Sequence, residues 1–212
     1  KIIEALARGE SVALVTDAGT PAVSDPGAQV VAAVRAAGFP VVPVPGPSAL
    51  VAALSASGAA APHFLYYGFL PAKGGERRSV LEKLRELPYT LVFYESPHRI
   101  AATLGDLSAL LGEARTVVIA RELTKLFEQI HVCVLGEARD WLNADAHRQK
   151  GEFVLIVSGA EATAASSVEA RRVLEILLRE LPVSQAARLA AEISGGKKNV
   201  LYDLALQLKG GA

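Results

Sequence analysis

Apolar runs alternate with helical periodicities along the first third of the chain. Residues 12–16 and 41–44 are short apolar runs typical of strands, and residues 27–37 and 47–57 are Ala- and Val-rich stretches typical of helices. This order predicts a βαβα arrangement around a parallel sheet. The first third of the sequence therefore favours an α/β fold.

The alternation continues beyond a link of small residues at 59–63, which we take as a domain boundary. The later apolar runs pair most naturally in a mixed sheet, so we expect a second α/β domain. Its predicted strands are 64–67, 90–94, 116–120, 129–135 and 153–157, and its predicted helices are 76–87, 97–111 and a polar helix around Trp141.

Residues 159–167 are rich in Ala, Ser and Thr and have the composition of a linker. Three short helical patterns follow, at 168–181, 184–193 and 199–208. The glycine turn between the last two is compatible with a helix-turn-helix and equally with a plain helical hairpin. The predicted domains are residues 1–60, 61–160 and 161–212.

Composition and charge exclude several classes of protein. The 212 residues are 51% hydrophobic, yet no apolar run reaches the roughly 18 residues that cross a bilayer, so we expect a soluble cytoplasmic protein. The 22 Lys and Arg residues balance the 22 Asp and Glu residues, so the overall charge does not by itself point to a nucleic-acid partner, and only a local basic patch can do so. The one cysteine, Cys133, allows no internal disulfide, and no Cys/His cluster has zinc spacing, so we predict no metal site.

Two tight loops follow the two predicted strands of the first third. Residues 17–27 form a loop rich in Gly, Pro and Asp, and residues 45–47 form a rigid Pro-Gly-Pro turn before Ser48. Ligands bind at such strand ends in open α/β sheets, because backbone N–H groups and helix N-termini converge there. The two loops therefore predict a small-molecule site.

Seven stretches occur in order along nearly the whole chain: TDAGTPAVSDPG, VVPVPGPSALVAALSASG, YYGFLPAKG, FYESPHRI, IARELTKLFE, GEFVLIVSG and GGKKNVLYDLAL. Together they resemble the ribosomal RNA small-subunit methyltransferase I family, within the tetrapyrrole-methylase-like S-adenosylmethionine enzymes. The resemblance implies two α/β domains with a cofactor cleft between them and a small C-terminal helical, helix-turn-helix-like domain. It also implies a homodimer that moves a methyl group from S-adenosylmethionine to the 2′-hydroxyl of one cytidine in the 16S rRNA of the small ribosomal subunit.

The start of the chain departs from the family pattern. Such proteins usually begin with a strand and a Pro/Gly-rich cofactor loop, whereas this chain opens inside an amphipathic helical pattern at residues 1–6 and contains no methionine. We expect that an N-terminal segment is missing, and with it part of the cofactor site.

The resemblance also implies which residues bind the cofactor. The first loop occupies the position of the group's Gly-Asp-Pro loop, with Thr20 in place of its acidic residue, and strand ends of the second domain form the adenine-side wall. At Ser48, the hydroxyl can bind the ligand or simply cap a helix. The predicted cofactor-binding residues are Asp17, Gly19, Thr20, Ala22, Val23, Ser24, Ser48, Ala49, Ala120, Glu122, Leu123 and Phe153.

A ribose hydroxyl is a poor nucleophile, so its methylation needs a general base or a well-aligned approach to the methyl carbon. Glu95 and His98 follow a buried strand, and Lys125 follows another, so these three side chains are candidate bases. Lys125 needs a depressed pKa for that role and can instead contact phosphate. Alignment alone is the alternative, with no essential base.

Several basic residues are candidates for contact with RNA phosphates, although each can also be an ordinary solvated surface charge. They are Lys73, Arg77, Arg78, Arg99, Lys197 and Lys198. Two other functions stay open: a related methylase of a tetrapyrrole or another small molecule, and a non-catalytic RNA-binding module. The basic helical tail favours the RNA enzyme over the small-molecule methylase.

Overall fold

Five strands in the described part of the chain form one mixed sheet. They are β1 (Phe64–Phe69), β2 (Thr90–Glu95), β3 (Thr116–Arg121), β4 (Gln129–Val134) and β5 (Phe153–Val157), in the order β1-β2-β5-β3-β4. β1 and β2 are parallel, whereas β5 runs antiparallel to both β2 and β3, and β4 runs antiparallel to β3. The predicted α/β fold with a mixed sheet is confirmed.

The structure is a computed structural model that describes residues 1–59, 63–160 and 164–210, with only the backbone of 164–169 and 210. The chain divides into two compact units, Lys1–Gly159 and Ala160–Ala212. The first contains the sheet and both strand-end loops, and the second contains the C-terminal helices. No helix within the described ranges is long and apolar enough to cross a membrane.

Helices cover the sheet from both sides. Those of the first unit are α1 (Ile2–Ala7), α2 (Ala28–Ala36), α3 (Ala49–Ser57), α4 (Gly74–Leu84), α5 (Ile100–Leu111) and α6 (Leu135–Asn143). Side chains alternate across a strand, so Phe93 and Leu155 pack on one face against α4, α5 and α6. Val92 and Val154 pack on the other face against α3. We call this second surface the α3 face.

The two strands predicted in the first third do not pair with any segment of the described chain. No strand hydrogen bonds form at residues 11–16 or 39–48, and Val15, Val42 and Val44 are 80%, 80% and 84% exposed. An apolar run becomes a strand only where a neighbour completes its ladder of hydrogen bonds. The helices that follow each run do form, as α2 and α3.

The helix predicted from residue 97 begins three residues later, at Ile100. The side chain of Ser96 does not cap it; instead, the Ser96 carbonyl oxygen accepts hydrogen bonds from the backbone N–H groups of Arg99 and Ile100, each at 3.1 Å. Pro97 disfavours the helical conformation at the residue before it. Residues 96–99 therefore form a turn between β2 and α5.

The described residues of the second unit form α7 (Ala164–Leu177), α8 (Val183–Ser194) and α9 (Lys198–Gly210). Small and apolar side chains such as Leu174, Ala187 and Leu201 form their common core. Gly195 ends α8 with a φ of 71°, a left-handed conformation that glycine adopts without strain. The prediction of three helices with a glycine turn is confirmed.

Each of the two predicted links between domains lies partly outside the described residues, and one of them disagrees with the structure. The linker predicted at 159–167 is wrong in its last part, because α7 already begins at Ala164, and its residues 161–163 lie outside the described residues. Residues 60–62 of the first predicted link also lie outside them. The division of the first unit at residue 60 stays a prediction.

We expect Leu155→Ala to lower the free energy of unfolding by about 2 to 5 kcal/mol, because it empties a fully buried position of the central strand. Urea denaturation followed by the fluorescence of Trp141, the single tryptophan, reports the first unit. The control is Val132→Ala on the edge strand β4, where the side chain is 55% exposed and the expected loss is at most about 1 kcal/mol. Equal losses in both variants would contradict the central position of β5.

Candidate functional site

The first loop (17–27) and the second loop (45–47) meet on the α3 face of the sheet. Thr20 of the first loop donates its hydroxyl to the carbonyl oxygen of Pro47 in the second loop, at 2.9 Å. The hydroxyl of Ser24 lies 2.6 Å from that of Tyr66 on β1. The backbone N–H of Leu50 donates to the hydroxyl of Tyr94 on β2, at 2.8 Å. The loops are thus joined to each other and to two neighbouring strands.

The first loop has a tightly turned backbone. Gly19, Ala22 and Ser24 have φ values of 73°, 66° and 55°. The left-handed region costs a residue with a side chain about 1 to 2 kcal/mol, so contacts must hold Ala22 and Ser24 there. One such contact is the hydrogen bond from the Thr16 hydroxyl to the Asp25 carboxylate, which closes the loop. The predicted site residues exposed on this loop are Asp17, Gly19, Val23 and Ser24.

The second loop leads into α3 without a side-chain cap. Ser48 precedes the helix with an extended backbone, at φ −141° and ψ 114°, and its hydroxyl makes no capping hydrogen bond. The first N–H groups of a helix have no partner inside it, and here the Tyr94 hydroxyl accepts from the Leu50 N–H. Ser48 and Ala49 therefore begin α3 next to the contact between the two loops.

Two of the predicted wall residues lie on the α3 face, and one does not. Ala120, at the end of β3, is fully buried in the cluster that contains Ala53 of α3, and Leu123 packs against the same cluster. Phe153 is 2% exposed and lies in the core on the opposite face. Neighbouring residues of a strand point to opposite faces. Val154, and not Phe153, therefore lies on the α3 face, where the loops of the predicted cofactor site meet.

A charged bridge spans the loop after β3. Lys125 Nζ lies 2.9 Å from Glu122 Oε1 and 2.8 Å from Glu152 Oε2. The same Glu122 oxygen accepts the backbone N–H of Glu152 at 3.0 Å. The Lys125 ammonium lowers the pKa of Glu122, and hydrogen bonds to Glu122 and Glu152 raise the pKa of Lys125. A general base at Lys125 requires a lowered pKa, so the raised pKa speaks against that role.

Arg121 anchors the segments around this bridge, although the sequence pattern does not single it out. Its buried guanidinium donates to the carbonyl oxygens of Lys150 and His147, at 2.7 and 2.8 Å. A guanidinium has five donors in a fixed plane, so it can hold several carbonyl groups at once. The sequence signal that could have identified Arg121 is its place directly after the apolar residues of a strand.

The other two catalytic candidates lie at the β2–α5 turn. The carboxylate of Glu95 is fully buried on the face opposite to α3. It accepts hydrogen bonds from the Thr103 hydroxyl at 2.6 Å and the Ser96 N–H at 2.8 Å, and it lies 3.3 Å from Arg99 Nε. Glu95 therefore holds the turn in place and points away from the two loops. His98 is exposed in that turn.

The basic residues predicted to contact RNA include two that are engaged within the fold. The buried Arg77 guanidinium lies 2.6 Å from the Asp106 carboxylate. Arg99 donates to the carbonyl oxygens of Leu70 and Pro71. Both arginines thus make contacts within the fold, and their predicted contact with phosphate stays a prediction. The exposed members of the set are Lys73, Arg78, Lys197 and Lys198.

Tyr66 reaches the first loop from the sheet and Tyr94 reaches the start of α3, although neither belongs to the predicted site residues. The signal for them is weak: a hydroxyl-bearing aromatic side chain on each of two adjacent strands. Gly68 belongs with them, because a Cβ there would lie 2.9 Å from Ser24 Oγ. The missing side chain at Gly68 allows the first loop to approach β1.

Two family profiles match the chain. The one described as Tetrapyrrole (Corrin/Porphyrin) Methylases matches residues 1–139, and the one described as RsmI C-terminal HTH domain matches residues 164–209. Most of the first unit falls within the first match, and the second match covers the three helices of the second unit except for the last residue of α9, Gly210. Fold and profiles together define a tetrapyrrole-type methylase with a C-terminal helix-turn-helix unit.

Curated relatives match over nearly the whole chain. The ribosomal RNA small subunit methyltransferase I of Pseudomonas aeruginosa is 49% identical over 213 residues, which cover 99% of this chain and 76% of the relative. The protein of the same name from Escherichia coli O157:H7 is 50% identical over 210 residues, with coverage of 99% and 73%. The chain belongs to the ribosomal RNA small subunit methyltransferase I family.

Solved structures at lower identity share the fold. The methyltransferase CobJ is 24% identical, with a TM-score of 0.56 and coverage of 74% of this chain and 68% of that one. The cobalt precorrin-4 methyltransferase CbiF is 18% identical, with a TM-score of 0.52 and coverage of 74% and 67%. These likenesses confirm the tetrapyrrole-methylase-like fold.

In Lys125→Met we expect the pKa of Glu122 to rise toward its ordinary value of 4.5, because the ammonium that lowers it is gone. The carboxyl carbon of Glu122, followed by NMR through an acid titration, measures this. A lowered pKa stabilises the folded state above about pH 4.5, and this contribution disappears as the pH falls through the folded-state pKa. Acid should therefore destabilise the variant less steeply than the parent in that range.

The control for this titration is Lys83→Met on α4, which removes the same charge from an exposed position on another element. It should leave the pKa of Glu122 unchanged. If both variants shift the pKa equally, the effect comes from net charge and not from the bridge.

Proposed function

We propose that this protein transfers the methyl group of S-adenosylmethionine to the ribose 2′-hydroxyl of a cytidine in the 16S rRNA of the small ribosomal subunit. The observation that carries the proposal is the match to the rRNA methyltransferase relatives over 99% of the chain. That match includes the helix-turn-helix unit. A methylase of a tetrapyrrole or another small molecule has little need for such a unit with lysines at a helix start.

The residues of the α3 face have the chemistry that S-adenosylmethionine needs. The cofactor combines a sulfonium, an adenosine and an amino-acid tail, so small residues, backbone polar groups and an apolar floor suit it. No described atom lies within 4 Å of the place where a Cβ at Gly19 would stand, so the first loop is open there. Leu50, Leu54 and Leu123, which pack partly buried against the cluster of Ala53, Ala120 and Val154, supply apolar surface. When bound, the cofactor supplies an electrophilic methyl group.

The binding residues in this proposal come from both loops and from the end of β3. Residues 17–24 and Ser48 and Ala49 offer backbone groups and hydroxyls. The segment 120–123 supplies the apolar Ala120 and Leu123, together with Glu122. The hydrogen bond between Thr20 and Pro47 fixes the two loops relative to each other, so both sides of the ligand meet a preformed surface.

Alignment, and not one strong base, carries the chemical step in this proposal. Lys125 stays protonated at neutral pH because its carboxylate neighbours raise its pKa, and the Glu95 carboxylate is occupied on the opposite face. His98 is the candidate with an exposed side chain. A hydroxyl held in line with the methyl group gains most of its rate from positioning.

The proposal is tested with the full-length protein, tritiated S-adenosylmethionine and small subunits from cells that lack the enzyme. We expect label in 16S rRNA at a ribose that resists alkaline cleavage, because a 2′-O-methyl group removes the internal nucleophile. Thr20→Trp should lose at least about tenfold in cofactor affinity by calorimetry, because a bulky ring replaces the loop-to-loop hydrogen bond. Transfer to a porphyrinoid and not to the subunit would overturn the proposal.

The start of α9 is the proposed phosphate contact of the second unit. Lys197 and Lys198 are exposed at this helix N-terminus, and Asn199 follows them. Lysines attract the phosphate backbone by charge, which is why such binding weakens with salt. In a helix-turn-helix the second helix meets the nucleic acid, and α9 is that helix here.

We expect Lys198→Ala to weaken binding to the small subunit and to reduce the slope of log affinity against log salt by about 0.7 to 0.9, the value for one lost phosphate contact. Affinity for S-adenosylmethionine should not change. Filter binding at several salt concentrations gives the slope. The control is Lys209→Ala, an exposed lysine at the other end of α9, about 16 Å away. Equal slopes for the two variants would place the contact elsewhere.

We also propose that the enzyme works in the cytoplasm, where its ribosomal substrate is assembled, and that it forms a homodimer. Exposed apolar side chains at Leu126, Phe127 and Val132 supply the kind of area that subunit interfaces bury. They belong to the β3–β4 loop and to the edge strand β4.

A further inference from the structure

Two tyrosine hydroxyls connect the sheet to the loops of the proposed cofactor site. Tyr66 and Tyr94 lie on adjacent parallel strands and on the same face, with ring centroids 5.1 Å apart at an interplanar angle of 69°. Such an edge-to-face pair keeps both rings in defined orientations. Each hydroxyl reaches a different segment: Tyr66 contacts Ser24 of the first loop at 2.6 Å, and Tyr94 accepts from the Leu50 N–H in the first turn of α3 at 2.8 Å.

The strand is shaped to admit the contact between Tyr66 and Ser24. The register of β1 against β2 shifts between Tyr66 and Gly68, which is a β-bulge. Gly68 has a φ of 83°, and a Cβ there would lie 2.9 Å from Ser24 Oγ. Ser24 itself is held at a φ of 55°. The irregularity of β1 at Gly68 and the left-handed backbone of Ser24 therefore meet at one contact.

The contact at Tyr94 determines where α3 begins. A capping side chain usually accepts one of the first helical N–H groups, but the Ser48 hydroxyl does not. The Tyr94 hydroxyl accepts from Leu50 instead, so the helix start is fixed from the sheet. Because Thr20 joins the first loop to Pro47, a constraint on either loop also restrains the other.

We propose that Tyr66 and Tyr94 are positioning residues of the cofactor site, which set its two loops through Ser24 and through the start of α3. This inference rests on the proposed function. Burial raises the pKa of Tyr66, so its hydroxyl keeps its proton at neutral pH and acts as a hydrogen-bonding group and not as a base. Neither tyrosine needs to touch the cofactor, because Tyr66 acts through the Ser24 hydroxyl and Tyr94 through the Leu50 N–H at the start of α3.

Tyr66→Phe and Tyr94→Phe each remove one oxygen and keep the ring. We expect each to raise the dissociation constant for S-adenosylmethionine about fivefold, the typical net effect of one lost hydrogen bond. The KM for the cofactor should rise by the same factor, while kcat at saturating cofactor changes less than about twofold, because the bound ligand reorders the loop. Calorimetry and steady-state kinetics on the full-length protein provide these values.

The matched control is Tyr67→Phe, the next residue on β1. Its ring lies against Phe93, with 6.2 Å between centroids, and its hydroxyl has no hydrogen-bond partner among the described residues. We expect its dissociation constant to stay within about twofold of the parent value.

Two further measurements separate positioning from a general loss of stability. In a Ser24→Ala background, Tyr66→Phe should weaken cofactor binding no further, because both substitutions break the same contact. In the protein without ligand, Tyr94→Phe should speed hydrogen exchange at the Leu50 amide, whereas Tyr67→Phe should not.

The outcomes distinguish this inference from the proposed function. If the parent protein binds no S-adenosylmethionine, both fail. If the parent binds and methylates the subunit but Tyr66→Phe and Tyr94→Phe bind as the parent does, only the inference fails. A Tyr66→Phe effect that persists in Ser24→Ala, or a fall in kcat with unchanged affinity, also overturns it, because the tyrosine would then act on the ligand directly.

Discussion

Strand β5 is hydrogen-bonded on both edges and buried on both faces, and this constraint determines where polar side chains can stand in the sheet. All five residues of Phe153–Val157 are buried, and β5 lies between β2 and β3. A polar group without a partner in such a sheet costs several kcal/mol. The ionised side chains accordingly appear where strands end, and Glu95 and Arg121 flank Phe153 in register.

The two faces of the sheet have different roles. On the face covered by α4, α5 and α6, buried charges fix the connections: Glu95 holds the β2–α5 turn through Thr103, and Arg77 joins α4 to α5 through Asp106. On the α3 face the contacts are made by hydroxyls. Neutral hydroxyl contacts are weaker than charged hydrogen bonds, so the connections on the side of α4, α5 and α6 are the more strongly fixed of the two.

Much of the fold could be predicted because each strand between residues 64 and 157 is a short apolar run bounded by turn residues. Residues 12–16 and 41–44 have the same pattern, but periodicity does not say which neighbour will complete a ladder. Its residue type suggested Glu95 as a general base. The alternation of side chains along β2, however, places the Glu95 carboxylate on the face of the sheet opposite to α3. Tyr66 and Tyr94 meet partners 42 and 44 positions away, and no local pattern contains that information.

The position of β5 also has a consequence for the order of assembly. It is the last of the strands in the described residues and yet the middle strand of the sheet. During synthesis, β1 can pair with β2, and β3 can pair with β4. The two pairs are joined only when β5, which ends at Val157, has been synthesised. We therefore expect the two strand pairs to form separately and to keep their inner edges open to pairing with other chains until β5 connects them.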